Sequence, residues 1–252
     1  MRFTPKRGVV LVGLGVAVVV LVGLYLLLRG GTETVVADYY FEARIWIEVV
    51  PELDPEPYAV DVAKTWFKGP LQWRQEWRQQ AQAGGRPASA NFSVQVSDGA
   101  TITDYYSERD AYYSYAVPDY LRKGSYPLGA GYLGPLTGAS LEEYFAPLRV
   151  SGVNWRTVGS DRFLGRDVTL VKLETPFGLP PGEAEGRTTW WVDTERMFVL
   201  RFEEKSYDFD GVSRSKTVGE VTQLQLNVTV PAKTFTFQPP KGARRSAEPL
   251  NK

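Results

Sequence analysis

Cysteine and histidine are both absent from this chain, and neither sign of charge is in excess. Without cysteine there can be no disulfide, no thiolate metal site and no lipid attached through a thiol. Without histidine no Ser-His-Asp triad, Cys-His dyad or His-ligated zinc can be assembled. Any catalysis would fall to carboxylates, Lys, Tyr or a Ser-Lys pair, and no metal or cofactor is expected. Lys plus Arg number 29, as do Asp plus Glu. A neutral total leaves no electrostatic footprint for nucleic acid, so that partner class is set aside.

What is present begins with an apolar run. Gly8 to Leu28 spans 21 residues without a charge, and about 20 apolar residues suffice for a helix to cross a bilayer core. Arg2, Lys6 and Arg7 precede the run, whereas only Arg29 follows it directly. That asymmetry predicts a cytoplasmic amino terminus. The reading is a cytoplasmic stub at 1–7, one transmembrane helix at 8–28, a linker at 29–37, and a main domain outside the cytoplasm. The rival reading is a cleaved secretory signal, with Val35-Val36-Ala37 as a weak cleavage site. Signal cores, however, are usually only about 7–15 residues long. Gly13 and Ala17 give a small-x-x-x-small spacing of the kind that pairs helices, although valine-rich anchors carry it by chance.

Hydrophobic residues make up 43% of the chain and charged residues 23%, as in a packed globular protein. The 14 Tyr, 12 Phe and 7 Trp are the unusual part. Aromatics favour strands and line apolar interiors. Alternation of period two dominates the exported part. Leu71, Trp73 and Trp77 share one face, and Gln72, Arg74, Glu76 and Arg78 the other. Phe198, Leu200 and Phe202 oppose Arg201 and Glu203, and Thr188, Trp190 and Val192 alternate with Thr189, Trp191 and Asp193. Strands with one buried and one wet face are the antiparallel signature. Asp98-Gly99 and Asp193-Thr194-Glu195-Arg196 supply turns between them. Strands are predicted at 38–50, 59–68, 71–79, 91–98, 101–107, 111–116, 153–160, 166–174, 187–193, 197–205, 217–228 and 234–237.

Residues 118–149 break the pattern. Their first part is rich in glycine and reads as loop. Ser140 to Leu148 then reads as one short helix, with Ser140 as N-cap, Glu143 at the third helical position, and Leu141, Tyr144, Phe145 and Leu148 on one side. An apolar-faced helix inserted among strands must cover part of the sheet. Residues 176–186 form a second irregular insertion, and the polar tail at 244–252 is expected to be disordered.

Three blocks carry a family resemblance when taken together: Thr65-Trp66-Phe67-Lys68-Gly69-Pro70 with Leu71 and Trp73; Val96-Ser97-Asp98-Gly99 leading into Tyr105 and Tyr106; and Phe235 to Ala243. Trp191-Val192-Asp193 and Arg201 fall between them. In this order the chain resembles the LolA-like lipoprotein carrier fold over roughly 38–245. The resemblance implies a curved antiparallel half-barrel closed by a helical lid, with an apolar cavity that takes acyl chains of lipoproteins. In a related group the same fold serves as an envelope-stress sensor domain. Two departures matter. The carriers hold an arginine that latches the lid where this chain has Gly69, and a short tether at 29–37 restricts reach. A shuttle between two membranes is therefore not expected.

The fold class read here is mainly β with a few short helices, occupying 38–243 behind the membrane helix. Candidate cavity residues are Trp46, Trp66, Trp73, Trp77, Phe92, Tyr113, Leu141, Tyr144, Phe145, Trp155, Trp190, Leu200 and Phe202. Each could equally fill an ordinary core, since a large aromatic buries about 150–250 Å² in either case. Glu142-Glu143, Glu203-Glu204, Asp98, Asp104 and Asp161 carry no spacing that fixes an acid–base pair. Ser213-Arg214-Ser215-Lys216 lacks the Ser-x-x-Lys spacing. Asn91-Phe92-Ser93 and Asn227-Val228-Thr229 fit a glycosylation pattern but lie in predicted strands. The expected function is a non-enzymatic envelope protein that holds an acyl chain, lipid or lipidated peptide. The alternative is a regulatory sensor or interaction module that binds a membrane protein partner.

Overall fold

The strict alternation read from the sequence becomes one large sheet. The computed structural model describes residues 38–49, 59–69, 71–82, 91–119, 132–136, 138–149, 154–175, 186–207 and 213–250. The expected membrane helix at 8–28, its flanks, and most of the insertion at 176–186 lie outside them. Among the described residues no helix is long and apolar enough to cross a membrane.

The strands are β1 (Asp38–Val49), β2 (Ala59–Lys68), β3 (Gln72–Gln82), β4 (Phe92–Asp98), β5 (Thr101–Tyr106), β6 (Ala111–Ala116), β7 (Gly134–Pro135), β8 (Asn154–Phe163), β9 (Arg166–Thr175), β10 (Gly186–Asp193), β11 (Phe198–Tyr207), β12 (Ser213–Leu226) and β13 (Arg244–Arg245). One helix, α1 (Leu141–Arg149), lies between β7 and β8. The order across the sheet is β13-β6-β5-β4-β3-β2-β1-β12-β11-β10-β9-β8, with β7 paired to β11 off this path. The first strand therefore sits mid-sheet. One meander runs from it to β6, and a second returns from β8 to β12 and closes on β1. Every pairing among the described residues is antiparallel except the parallel contact of β13 with β6. Among the described residues the two ends of the path do not pair with each other, so the sheet is open and curled.

Turn chemistry sets the hairpins. Asp98 accepts the backbone N–H groups of Ala100 and Thr101 at 2.8 Å each, and Gly99 takes φ +97° in the turn between β4 and β5. Asp193, 1% exposed, accepts the Arg196 backbone N–H at 3.1 Å. It also meets the Arg166 and Arg196 guanidinium groups at 3.2 and 3.4 Å, which ties the β10–β11 turn to β9.

Alternation divides each strand between two faces. Tyr39, Phe41, Ala43 and Ile45 of β1 point to the inner face and join one apolar cluster with Phe67, Trp73, Val171, Trp190, Phe198 and Phe202. The register continues this face from strand to strand: Phe202 lies opposite Gly219, Gly219 opposite Ile45, and Ile45 opposite Asp61. The outer face carries an ionic ladder, including Glu42–Lys64 at 2.8 Å, Glu48–Lys216 at 2.8 Å and Arg201–Glu203 at 2.6 Å.

Two expectations at the carboxyl end are corrected. The strand predicted at 234–237 is instead a 3-10 turn, Ala232–Phe235. This segment crosses the outer face rather than joining the ladder: Phe235 is buried and Phe237 packs on Tyr105 and Tyr112 at 5.9 and 5.5 Å. The tail expected to be disordered from 244 is held as far as Leu250. The Arg244 and Ser246 N–H groups donate to Asp110 and Tyr112 carbonyls at 2.9 and 2.7 Å. The Arg109 guanidinium donates to the Leu250 carbonyl, and Leu250 is 9% exposed.

Candidate functional site

The helix α1 is built from a local cap and an apolar face. The Ser140 hydroxyl accepts the Glu143 N–H at 3.1 Å, and the Glu143 carboxylate accepts the Ala139 N–H at 2.8 Å. This reciprocal arrangement satisfies donors that a helix start leaves unpaired. Tyr144 and Phe145 are buried, whereas Glu142, Glu143 and Arg149 face water. The helix thus turns its aromatic side onto the end of the sheet formed by β8, β9 and β10.

There the rings gather. Phe145, fully buried, lies 4.9 Å from Trp155 in stacked geometry and 5.6 Å from Trp190. Tyr144 lies 6.3 Å from Trp190, and Tyr132 lies 5.6 Å from Trp190 and 5.0 Å from Phe202. Ring pairs at 4.5–7 Å contribute about 0.5–1.5 kcal/mol each beyond area burial. The indole Nε1 groups of Trp155 and Trp190 are buried and have no hydrogen-bond partner among the described residues. Trp73 on the same face shows the usual outcome: its indole donates to Gln95 at 3.3 Å.

The inner face changes character toward β3–β6. Gln75 donates to Thr65 at 3.4 Å, Gln95 donates to Asp104 at 2.8 Å, and Tyr115 also hydrogen-bonds Asp104. Three carboxyls on this face are raised above the ordinary carboxylate range, each first by desolvation: Asp61 on β2, Asp104 on β5 and Glu204 on β11. Hydrogen bonds from Gln95 and Tyr115 pull Asp104 part of the way back, and one from Tyr132 does so for Glu204. In return, burial and the neighbouring Glu204 push the Tyr132 hydroxyl up.

The structure brings ten of the thirteen sequence candidates to the inner face or its cover. Trp73, Tyr144, Phe145, Trp190, Leu200 and Phe202 belong to the apolar cluster, and Trp77, Leu141 and Trp155 pack against it. Tyr113 stacks on Tyr115 at 5.5 Å along β6. The remaining three lie on the outer face. Trp46 donates its indole N–H to Glu48 at 2.9 Å under the Arg44 guanidinium. Trp66 packs on Tyr40 at 5.0 Å, and Phe92 on Tyr105 at 5.5 Å. Their neighbours at i±2, Arg44, Glu48, Lys64 and Lys68, are the sequence signal that separates Trp46 and Trp66 from the inner set. Phe92 has no such signal, because Val94 and Val96 continue an outer face buried under the carboxyl-terminal segment. Sequence reading also missed Tyr132, Asp61 and the Gln75–Gln95 row.

A cavity of about 600 Å³ opens elsewhere, at the β6–β13 edge, lined by Glu108, Arg109, Ala111, Arg244, Arg245, Ser246 and Leu250. Three arginines and Glu108 contribute to its lining, and it holds none of the aromatic side chains. The site is therefore placed by the ring cluster beneath α1.

No protein-family model and no curated protein sequence matches the chain. Among solved structures it is similar to an uncharacterized conserved protein from Thermus thermophilus, at 12% identity, covering 91% of this chain and 98% of that one, with a TM-score of 0.41. It is also similar to the Pseudomonas aeruginosa MucA/MucB complex structure, at 13% identity and a TM-score of 0.39, covering 79% of this chain. This chain spans only 56% of that one. A third is a putative outer membrane lipoprotein-sorting protein domain from Vibrio parahaemolyticus, at 11% identity, covering 79% of this chain and 89% of that one, with a TM-score of 0.31.

Proposed function

We propose that this protein is an extracytoplasmic binding module, tethered by residues 8–28, which holds an acyl chain or lipid against the inner face of its sheet. The observation that carries this reading is the aromatic cluster under α1, where Trp155 and Trp190 form an apolar surface on the sheet and Phe145 of the amphipathic helix covers it. Each methylene placed there contributes about 0.8 kcal/mol, so about a dozen give roughly 10 kcal/mol before ordering costs. Burial alone supplies the affinity, and the function requires no catalytic step.

The test uses the full chain in lipid nanodiscs with a long-chain acyl ester bearing a diazirine on the chain. Light-induced adducts are expected on inner-face residues such as Trp155, Trp190 and Phe202. Adducts confined to 8–28, or to the outer-face Trp46 and Trp66, would refute the proposal.

One observation favours the interaction-module reading. Among the described residues β8 is a ten-residue edge strand exposed along most of its length, with Val158 at its centre and Leu164 in the following turn each 44% exposed. Unpaired strand edges are templates for another chain. Crosslinkers placed along β8 that capture a protein, with the inner face free of lipid adducts, would favour this second reading.

A further inference from the structure

Trp155 on β8 and Trp190 on β10 flank β9, where they lie opposite Leu173 and Val171. Both rings share the neighbour Phe145. Trp190 is 5% exposed, and both indole nitrogens are out of reach of water and without a partner among the described residues. A buried indole N–H ordinarily finds an acceptor, and leaving one unmade costs about 1–3 kcal/mol. Two such donors within a single ring cluster call for a common explanation.

We infer that the Trp155 and Trp190 indole N–H groups are the polar end of an acyl-ester site, donating to the ester carbonyl oxygen of a chain that lies along the inner face. The inference rests on the acyl-chain reading above and deepens it by naming the part of the ligand recognised. A carbonyl suits this place better than a free carboxylate. The Tyr132 ring packs on Trp190 and its hydroxyl meets Glu204 at 3.4 Å, so an acidic group rather than a cation stands on this side. The cation beside Trp155 is Arg149, 5.9 Å from the ring centroid and already paired with Glu142 at the surface. For the ester to enter, α1 must slide so that Phe145 leaves its place against the two indoles.

The experiment compares the full chain in nanodiscs with its Trp155→Phe and Trp190→Phe variants, which keep an aromatic ring and delete the donor. Two photoreactive probes are used, a long-chain acyl methyl ester and the matching hydrocarbon chain with no acceptor atom, each with a diazirine at the same chain position. Inner-face labelling by the ester is expected to fall about three- to tenfold in each variant, with labelling by the hydrocarbon unchanged. Equal loss for the ester and the hydrocarbon would show that the rings only pack, and no loss for either would show that the donors do not touch the ligand. Both results overturn the inference and leave the acyl-chain reading standing. If the wild-type inner face takes neither probe, that reading falls and the ester site with it. The indole ¹H–¹⁵N signals of Trp155 and Trp190 provide a measurement that needs no variant. Both indole protons should move further downfield with the ester than with the hydrocarbon, which displaces Phe145 but offers no acceptor, and equal movement with both probes or none with either refutes the assignment.

Discussion

Gly219 shows how a single missing side chain shapes the inner face. A β-carbon there would collide with the Phe202 ring, which is 2% exposed and has little room to move. Gly219→Ala should lower stability by about 1–3 kcal/mol, read by denaturant unfolding. Asp61 makes a second test at this scale. Burial raises its carboxyl above the ordinary 3.8, with no opposing hydrogen bond or charge contributing. The folded protein therefore holds this proton more readily than the unfolded chain does. Stability from the group is full below the ordinary value and is lost as pH rises through the raised one. Asp61→Asn should raise Tm at pH 7 and leave it unchanged near pH 3. An equal or lower Tm at pH 7 would refute this account. Asp61 was not legible in the sequence as an inner-face residue, because Val60, Val62 and Ala63 around it are all apolar and hide the alternation. In β1, by contrast, Glu42, Arg44 and Glu48 mark the outer face plainly.

The helix α1 was legible almost to the residue, since its cap, its acidic first turn and its aromatic spacing are all local signals. Ser140→Ala should cost about 1 kcal/mol and speed amide exchange over 141–149 more than in β1 or β12. Phe145→Ala removes the ring on which two tryptophans pack and should cost about 3–5 kcal/mol, measured by urea unfolding. The strands were legible for the same reason as the helix: period two and turn residues are written close together along the chain. Errors fall where a non-local partner decides. The segment 234–237 has strand-like residues, yet it meets the outer face of β3 and β4 rather than an edge. Nothing within the segment distinguishes these two environments.

Strand order at the scale of the whole molecule could not be read from periodicity, because alternation names a face but not a neighbour. The pairing of β1 with β12 joins residues far apart in the chain, such as Phe41 with Leu224. The fate of the tail was hidden for the same reason: a charged, proline-bearing terminus looks like a disordered one until its carbonyl and amide partners on Asp110, Tyr112 and Arg109 are known. Deleting 244–252 should raise amide exchange in β5 and β6 and lower Tm, while α1 and β9 stay protected. Unchanged exchange in β6 would show that the clasp contributes nothing.

The clasp also makes the two rims of the sheet unequal. One rim ends in a stub two residues long carrying Arg244 and Arg245, and the other in a strand of ten. Copies of this molecule that joined through their backbones would meet long rim to long rim, across a two-fold axis, and each union would use up the adhesive border of both members. A union of that kind closes at two copies instead of extending into a fibre.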